Sequence, residues 1–242
     1  MNLLIDIGNT RLKWAITTGG QFMTGRPLVN ALINRDELVK IWRGIYRPRR
    51  LAVSCVSTNQ LLELVQAVAH ELWLDIDIIL VKSQAQAFGV INAYRQPEKL
   101  GVDRWLCLVA VWQQYHSPAC IVDCGTAITV DLIDADGRHQ GGLISPGLAL
   151  MKKSLDQGTE ALPFSESNHA FGLSNYTEAA IYSGTLAAAI GLIKYVTASQ
   201  PENIRLILTG GDAELIAGQL GMASVVDPDL VLRPLRAQTA SR

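Results

Sequence analysis

The chain has 242 residues, of which 49% are hydrophobic and 18% are charged, and its formal net charge is −1. This length and apolar content suffice for two domains of about 100–120 residues each. The balanced charge gives no electrostatic footprint for nucleic acid or an anionic membrane, so neither is an expected partner. The N-terminus lacks the basic region of a secretory signal, and no apolar run approaches the ~20 residues that cross a bilayer. We therefore expect a cytoplasmic protein.

The first half of the chain has the pattern of three strands followed by alternating helices and strands. Its periodicity predicts strands at about 2–6, 11–17 and 20–25, a helix at 35–45, a strand at 50–55, a helix at 59–71 and a strand at 76–81.

The second half repeats this order of elements. Strands are predicted at about 119–124, 127–133 and 138–145, helices at 147–157 and 175–197, a strand at 204–209 and a helix from 212. Three consecutive strands followed by alternating elements are typical of a mixed α/β sheet. We predict two similar domains, 1–116 and 117–235, a hinge from Tyr115 to Ala119 and a frayed tail at 236–242. A cleft between two such domains is a natural nucleotide site.

One short string occurs near the start of each half: an apolar run ending in an acid, followed two residues later by glycine. The copies are the DIGNT string from Asp6 to Thr10 and the DCGT string from Asp123 to Thr126. In the first copy we expect Gly8 to adopt a positive φ, which turns amide N–H groups outward to bind anions.

Around that glycine, Thr10 and Lys13 would hold the nucleotide phosphates, and Asp6 would hold magnesium through water. The alternative is an ordinary hairpin turn built on asparagine and glycine. Two copies at matching offsets favour the phosphate-binding interpretation.

A third string, TGGDA from Thr209 to Ala213, joins a predicted strand to a helix. Paired glycines before a helix N-terminus suit a phosphate or the sugar and base of a nucleotide. An efficient turn with Asp212 as the helix N-cap explains the same residues equally well.

The GVDR string from Gly101 to Arg104 precedes a helix whose predicted core face contains Trp105, Leu108, Val109 and Trp112. Asp103 and Arg104 are thus predicted at the helix start, outside the packed face. There Asp103 could accept a proton from a substrate hydroxyl while Arg104 orients the substrate. Alternatively, Asp103 only opposes the helix dipole.

Cysteines and histidines show no paired spacing typical of a metal site. We expect the cysteines to be buried reduced thiols; they are Cys55, Cys107, Cys120 and Cys124. We expect the histidines to be surface or loop residues; they are His70, His116, His139 and His169.

Taken together, the strings resemble the type III pantothenate kinases, members of the acetate kinase, sugar kinase, Hsp70 and actin superfamily. The resemblance covers nearly the whole chain. It is carried by DIGNTRLK (6–13), GVDR (101–104), DCGTAIT (123–129), GGLISPG (141–147), Leu162-Pro163, residues 175–184 and TGGDA (209–213). It implies two ribonuclease H-like domains of the actin-like ATPase type, each a mixed sheet flanked by helices, with the active site in the cleft between them.

The resemblance also implies a reaction and its residues: ATP-dependent phosphorylation of pantothenate to 4′-phosphopantothenate, the first step of coenzyme A biosynthesis, with Asp103 as the base. The implied ATP-binding residues are Asp6, Ile7, Gly8, Asn9, Thr10, Arg11, Leu12, Lys13 and Thr126. The implied pantothenate-binding residues are Tyr94, Gly101, Val102, Asp103, Arg104 and Thr177. Asp123 resembles the ligand of a monovalent cation, K⁺ or NH₄⁺, and Mg²⁺ accompanies ATP.

Family resemblance further implies a homodimer in which Thr177 could reach a neighbouring subunit's substrate. Val102 stands where alanine is common in the family. Without the resemblance, Tyr94 could simply cover apolar surface and Thr177 could cap a helix. Two other functions stay open: a kinase of this superfamily acting on another small hydroxylated acid, and a non-catalytic regulatory or accessory binding protein. The presence of both Asp103 and Lys13 argues against the second.

Overall fold

The computed structural model describes residues 1–201 and 204–239 and divides the chain into two compact units. The first unit contains Met1–Gln114 and the segment from Asp229 onward, and the second is Tyr115–Pro228. The division near residue 115 lies within the predicted hinge. At the C-terminal end the structure differs from our prediction, because residues 229–235 belong to the first unit instead of the second.

A mixed sheet forms the centre of the first unit. Its strands are β1 (Asn2–Ile7), β2 (Arg11–Thr18), β3 (Gln21–Thr24), β4 (Leu28–Val29), β5 (Arg50–Cys55) and β6 (Asp77–Leu80). They are ordered β3-β2-β1-β5-β6, and β4 pairs with β2. A separate hairpin consists of β7 (Gln86–Ala87) and β8 (Val90–Ile91), and the helices are α1 (Arg35–Trp42), α2 (Asn59–Leu72) and α3 (Val102–Tyr115).

The central strand β1 explains why this sheet forms. Its last five residues are all buried, as expected for a strand covered on both faces. Leu3, Ile5 and Ile7 pack with side chains of α1 and α2, including Trp42 and Val65, on one face. The intervening positions, Leu4 and Asp6, therefore point to the other face.

In the second unit a sheet with the same connectivity recurs. Its strands are β9 (Ala119–Cys124), β10 (Ala127–Ile133), β11 (His139–Pro146), β12 (Arg205–Thr209) and β13 (Val225–Val226). Their order is β11-β10-β9-β12-β13, so a central strand again pairs antiparallel with the next strand and parallel with a later one. The helices are α4 (Leu148–Gly158), α5 (Thr177–Ala198) and α6 (Ala213–Leu220). The prediction of two similar mixed-sheet α/β domains is confirmed.

Helix α5 is the segment that bears on the expectation of no membrane-spanning run. Among the described residues it is the one helix long and apolar enough, by length and composition, to cross a membrane. Half of its apolar window is buried, and Tyr182, Leu186 and Ile193 pack into the core of the second unit. The core helix of a folded domain can pass this test of length and composition without containing an uninterrupted apolar run of ~20 residues.

The predicted frayed tail is wrong for the residues that the structure describes. Helix α7 (Leu232–Gln238) packs on β1, β2 and β5, with Leu232 and Leu235 fully buried. The amide of Asn2 donates to the Thr239 hydroxyl over 2.8 Å. Pro234 lies in the first turn of α7, where the missing N–H costs nothing. Residues 240–242 lie outside the described residues.

Among the side chains without predicted function, one histidine departs from expectation. His139 is buried, and its Nε2 lies 2.9 Å from Asp131 Oδ1 on the neighbouring strand. Our surface or loop assignment is wrong there, because β11 begins at His139 and turns its side chain inward.

The thiol prediction is confirmed for Cys107, Cys120 and Cys124, and Cys55 is partly buried. Burial raises the pKa of Cys120 to about 12, which keeps it a thiol at neutral pH.

Candidate active site

Three neighbouring strands place three polar side chains in a row at the end of the first sheet. Asp6 on β1 pairs with Lys13 on β2 and with Ser54 on β5. Cross-strand partners project from the same face of a sheet, so Lys13 and Ser54 flank Asp6. The Ser54 hydroxyl donates to Asp6 Oδ1 over 2.7 Å, and both residues are buried. Sequence reasoning missed Ser54, which could have been found only from its position at the end of the strand next to β1.

Burial dominates the electrostatics of Asp6. It raises the pKa of that carboxyl from 3.8 to about 6, although the Ser54 hydrogen bond and the Lys13 charge both lower it. The carboxylate of Asp103 raises the pKa further. Asp103 therefore lies close enough to Asp6 for the two charges to repel, and a cation between them would favour both ionised forms.

The first glycine loop consists of residues 8–10 and joins β1 to β2. Its backbone differs from our expectation that Gly8 has a positive φ. Gly8 is not among the glycines with positive φ, and its N–H donates to the Arg11 carbonyl over 3.1 Å instead of facing outward. A Cβ at Gly8 would lie 3.2 Å from that carbonyl oxygen. Glycine is therefore favoured here by the close approach of the backbone across a tight turn, and the predicted positive φ is wrong.

The other predicted ATP-binding residues of this loop divide into two groups. Asn9, Thr10 and Arg11 are exposed. Ile7 and Leu12 are fully buried in the core. These two could contribute only main-chain atoms to a nucleotide.

An asparagine that sequence reasoning missed holds this loop in place. The Asn30 side-chain amide donates to the Gly8 carbonyl over 2.7 Å, and its backbone N–H donates to the Thr10 carbonyl over 2.9 Å. Asn30 follows β4, whose pairing with β2 brings it beside the loop. No local motif marks it in the sequence.

In the second unit, the second and third glycine strings come together. Asp123 on β9 pairs with Thr209 on β12, and the Asp212 N–H donates to the Cys124 carbonyl over 3.0 Å. Gly210 has a φ of +95°, and a Cβ there would lie 2.5 Å from Asp123 Oδ1. A side chain at Gly210 would thus displace the Asp123 carboxylate.

The second glycine loop, residues 125–126 between β9 and β10, is also closed by main-chain hydrogen bonds. The Gly125 N–H donates to the Ala127 carbonyl over 3.1 Å, and the Gly147 N–H donates to the Thr126 carbonyl over 2.9 Å. Asp212 occupies the N-cap position of α6, but its side chain makes no capping hydrogen bond. The capping explanation of Asp212 therefore holds for its position and not for its side chain.

Asp103, Arg104 and Tyr94 lie together at the start of α3. The Arg104 backbone N–H donates to Asp103 Oδ1 over 2.8 Å, and Arg104 Nη1 donates to the Tyr94 hydroxyl over 2.7 Å. The Arg104 guanidinium carbon also lies 5.6 Å from the centre of the Tyr94 ring.

Our placement of Arg104 outside the packed face is wrong, because it is only 5% exposed. Helix α3 is buried around almost its whole circumference from Val102 to Val111, so no solvent-facing side exists there. Of the predicted core face, Trp105, Leu108 and Val109 are buried and Trp112 is partly buried.

Thr177 is the first residue of α5 and is exposed. It belongs to the second unit, whereas Tyr94 and Gly101–Arg104 belong to the first. The N-cap of α5 is Tyr176, which makes no side-chain capping bond, so the alternative role of Thr177 as the cap is wrong.

The described residues contain a cavity away from the predicted site and no acidic cluster that could hold a metal ion. Within the described residues, no group of three or more His, Cys, Asp or Glu side chains could hold a metal ion. A cavity of about 560 Å³ in the second unit is lined by residues such as Thr197, Arg205 and Met222. It lies where β12 begins and includes no predicted site residue, whereas Asp123 and Gly210 lie where the strands end.

The fold and the glycine loops define the class of protein. Two sheets of matching order, each with a tight glycine turn after its central strand, are the architecture of the actin-like ATPases. A solved Baf family protein from Campylobacter jejuni has the same fold, with a TM-score of 0.61, 21% identity and coverage of 97% of this chain and 96% of the other.

The family follows from sequence comparison. The type III pantothenate kinase family model matches residues 2–199. The type III pantothenate kinase of Nitrosococcus oceani is 37% identical, over 97% of this chain and 92% of that protein. That of Halorhodospira halophila is 36% identical, over 97% and 96%. The chain belongs to the type III pantothenate kinase family, whose ATP-dependent enzymes phosphorylate pantothenate in coenzyme A biosynthesis.

Proposed function

We propose that this chain transfers the γ-phosphate of ATP to the primary hydroxyl of pantothenate, forming 4′-phosphopantothenate. Among the site's features, the placement of Asp103 carries the proposal: it opens α3 within electrostatic range of Asp6 and beside the buried Arg104. Family membership supplies the identity of the substrate. Phosphoryl transfer requires mainly positioning and charge stabilisation, and this arrangement can provide both.

Each group of residues has a distinct proposed role. Asp103 accepts the proton of the pantothenate hydroxyl, while Arg104, held by Tyr94, orients the substrate. Gly101, Val102 and Thr177 complete the pantothenate site. The segment from Asp6 to Lys13, together with Thr126, binds ATP, with Lys13 and the loop N–H groups holding its phosphates.

The residues also fit the proposed metal ions. Asp6 is a buried carboxylate repelled by Asp103, and hard oxygen ligands suit Mg²⁺, which we propose Asp6 binds through water. Magnesium would neutralise charge on the ATP phosphates. Asp123 offers a carboxylate in the second unit, beside Gly210, and we propose it as a ligand of K⁺ or NH₄⁺.

A coupled assay of ATP turnover tests the reaction. We expect turnover with pantothenate, and an Asp103→Asn variant should bind both substrates but lose turnover by about 100- to 10,000-fold, the usual contribution of a general base. Asp36→Asn, an exposed carboxylate in the same unit, is the matched control and should keep full activity. Near-normal turnover of Asp103→Asn would remove Asp103 as the base. Turnover with another hydroxylated acid and not with pantothenate would reassign the substrate.

The role of Asp123 is tested by exchanging the cation. Replacing K⁺ by Na⁺ at constant ionic strength should lower turnover of the wild-type enzyme, since the two ions differ in size and hydration. An Asp123→Asn variant should respond much less to the exchange. If wild-type turnover is indifferent to the cation, Asp123 has a structural role or binds magnesium.

We further propose a cytoplasmic homodimer. The exposed position of Thr177 in the second unit is compatible with a substrate contact made across a subunit interface. Light scattering coupled to size-exclusion chromatography should give twice the 26.3 kDa mass of the chain. A monomer with full activity would confine Thr177 to its own subunit.

A further inference from the structure

The Asn30 side chain donates a hydrogen bond to a carbonyl of the first glycine loop. Its Nδ2 lies 2.7 Å from the Gly8 oxygen, and its backbone N–H reaches the Thr10 oxygen over 2.9 Å. The amide orientation is determined, because a flipped amide would place its oxygen against the Gly8 carbonyl. One residue thus holds the carbonyls on both sides of Asn9.

These bonds set the direction of an N–H group. The peptide bonds of the described chain are trans, and a trans peptide directs its C=O and the following N–H to opposite sides. Because the Gly8 carbonyl points toward Asn30, the Asn9 N–H points away from Asn30. An outward N–H in a tight glycine turn is the kind of donor that binds a phosphate oxygen.

The second loop supplies an internal comparison. There the Gly147 N–H makes the bond to Thr126 that corresponds to the one between Asn30 and Thr10. A Cβ at Gly147 would collide with the carbonyls of Gly125 and Thr126, so that position excludes any side chain. The main-chain bond therefore occurs in both loops, whereas the side-chain amide bond belongs to the first loop alone.

Among the described residues, the oxygen of the Asn30 side-chain amide makes no hydrogen bond that could replace the one made by its Nδ2. This Oδ1 atom is buried and has no hydrogen-bond partner within the part of the chain that the structure describes. Leaving a buried acceptor unpaired is unfavourable. The bond from Nδ2 to Gly8 is thus the polar interaction that this side chain makes, and its removal should be felt in the loop.

We propose that Asn30 is a positioning residue for the nucleotide, which holds the Gly8–Asn9 peptide so that the Asn9 N–H faces the phosphates of ATP. This role rests on the proposed function for the identity of the ligand. In this role Asn30 does not contact the nucleotide itself. Loss of its side chain should therefore weaken ATP binding and leave pantothenate binding almost unchanged.

Calorimetric titration with a non-hydrolysable ATP analogue, together with steady-state kinetics, tests the role of Asn30. In Asn30→Ala, loss of one hydrogen bond that orders a donor should raise the Kd of the analogue and the KM for ATP by roughly fivefold. The kcat and the KM for pantothenate should stay within about twofold of the wild-type values.

Asn34→Ala is the matched control, because Asn34 is an asparagine four residues later whose side chain accepts from the Glu37 N–H at the start of α1. It should lower the melting temperature through loss of an N-cap and leave ATP affinity unchanged. An Asn30→Ala variant with wild-type ATP affinity, or with equal losses for ATP and pantothenate, would overturn the proposal.

Should Asn30→Ala fail to fold, Asn30→Asp preserves the side-chain volume while removing the Nδ2 donor. Normal affinity of that variant for the analogue would also overturn the proposal. Wild-type protein that binds the analogue but does not turn over pantothenate contradicts the proposed acceptor and leaves the Asn30 test valid. Wild-type protein that does not bind the analogue overturns both.

Discussion

At the scale of single residues, Asp6 shows a conflict between function and stability. Its carboxyl group is buried at the end of β1, and burial raises its pKa to about 6, above the 3.8 of an ordinary aspartate. The folded protein therefore binds the Asp6 proton more tightly than the unfolded chain. Stability from this group is present at low pH and is lost as the pH rises from about 4 to about 6.

Asp6→Asn should remove this pH dependence. Because the shift is about two pKa units, the variant should be more stable than wild type at pH 7 by about 1–3 kcal/mol, and much less active. Urea unfolding between pH 4.5 and 7, with EDTA and without nucleotide, measures the difference. Asp36→Asn, with a side chain 90% exposed, is the control. Parallel pH profiles of wild type and Asp6→Asn would contradict the buried charge.

At the scale of elements, the two glycine loops show how one main-chain pattern is built with different residues. Each loop follows the central strand of its sheet and has a carbonyl bound by a main-chain N–H from the start of a later helical segment. Asn30 is the first residue of a short 3-10 helix (Asn30–Leu32), and Gly147 is the N-cap residue of α4. In the first loop Asn30 adds a side-chain bond. In the second, at Gly147, the carbonyls approach too closely for a side chain.

Gly147→Ala should therefore destabilise the second unit. The new Cβ meets backbone atoms, which cannot rotate away, and overpacking of this kind costs about 1–3 kcal/mol. Gly218→Ala is the matched control: Gly218 lies in α6 with no atom near its Cβ position, so alanine should stabilise that helix by up to about 1 kcal/mol. Urea unfolding of both variants tests the pair, and equal effects would disprove the close approach at Gly147.

At the scale of the molecule, the C-terminal segment stabilises the unit that begins the chain. Helix α7 covers part of the first sheet with Leu232 and Leu235, both fully buried, after the chain has completed the second unit. Integrity of the first unit, which contains Asp6 and Asp103, thus depends on residues far away in the sequence.

Leu235→Ala should destabilise the protein by about 2–5 kcal/mol, because it leaves a cavity in a packed core. Arg236→Ala, at the exposed neighbouring position, should change stability by no more than about 0.5 kcal/mol. Thermal unfolding followed by circular dichroism separates the two variants. Near-neutral effects of both substitutions would contradict the packing of α7 on the first sheet.

Much of the architecture was predictable because it is written in short-range patterns. The strands at 50–55, 119–124 and 127–133 were predicted with the bounds that the structure has. Apolar periodicity predicted the order of the longer elements in both halves but not the two-residue strands β4, β7, β8 and β13. The repeated acid and glycine string indicated a duplicated nucleotide-binding fold. The strings from DIGNTRLK to TGGDA, taken together and in order, also indicated the family to which the chain belongs.

Only the tertiary structure decided which distant residues support these strings. Ser54 meets Asp6 through the register of β5 on β1, Asn30 reaches Gly8 through the pairing of β4 with β2, and α7 returns to the first sheet. Periodicity indicates which face of an element is buried. It does not predict the register between two strands or the space around a backbone atom. Hydrogen bonds act over about 3 Å, so partners distant in sequence can be assigned only once the strands are aligned.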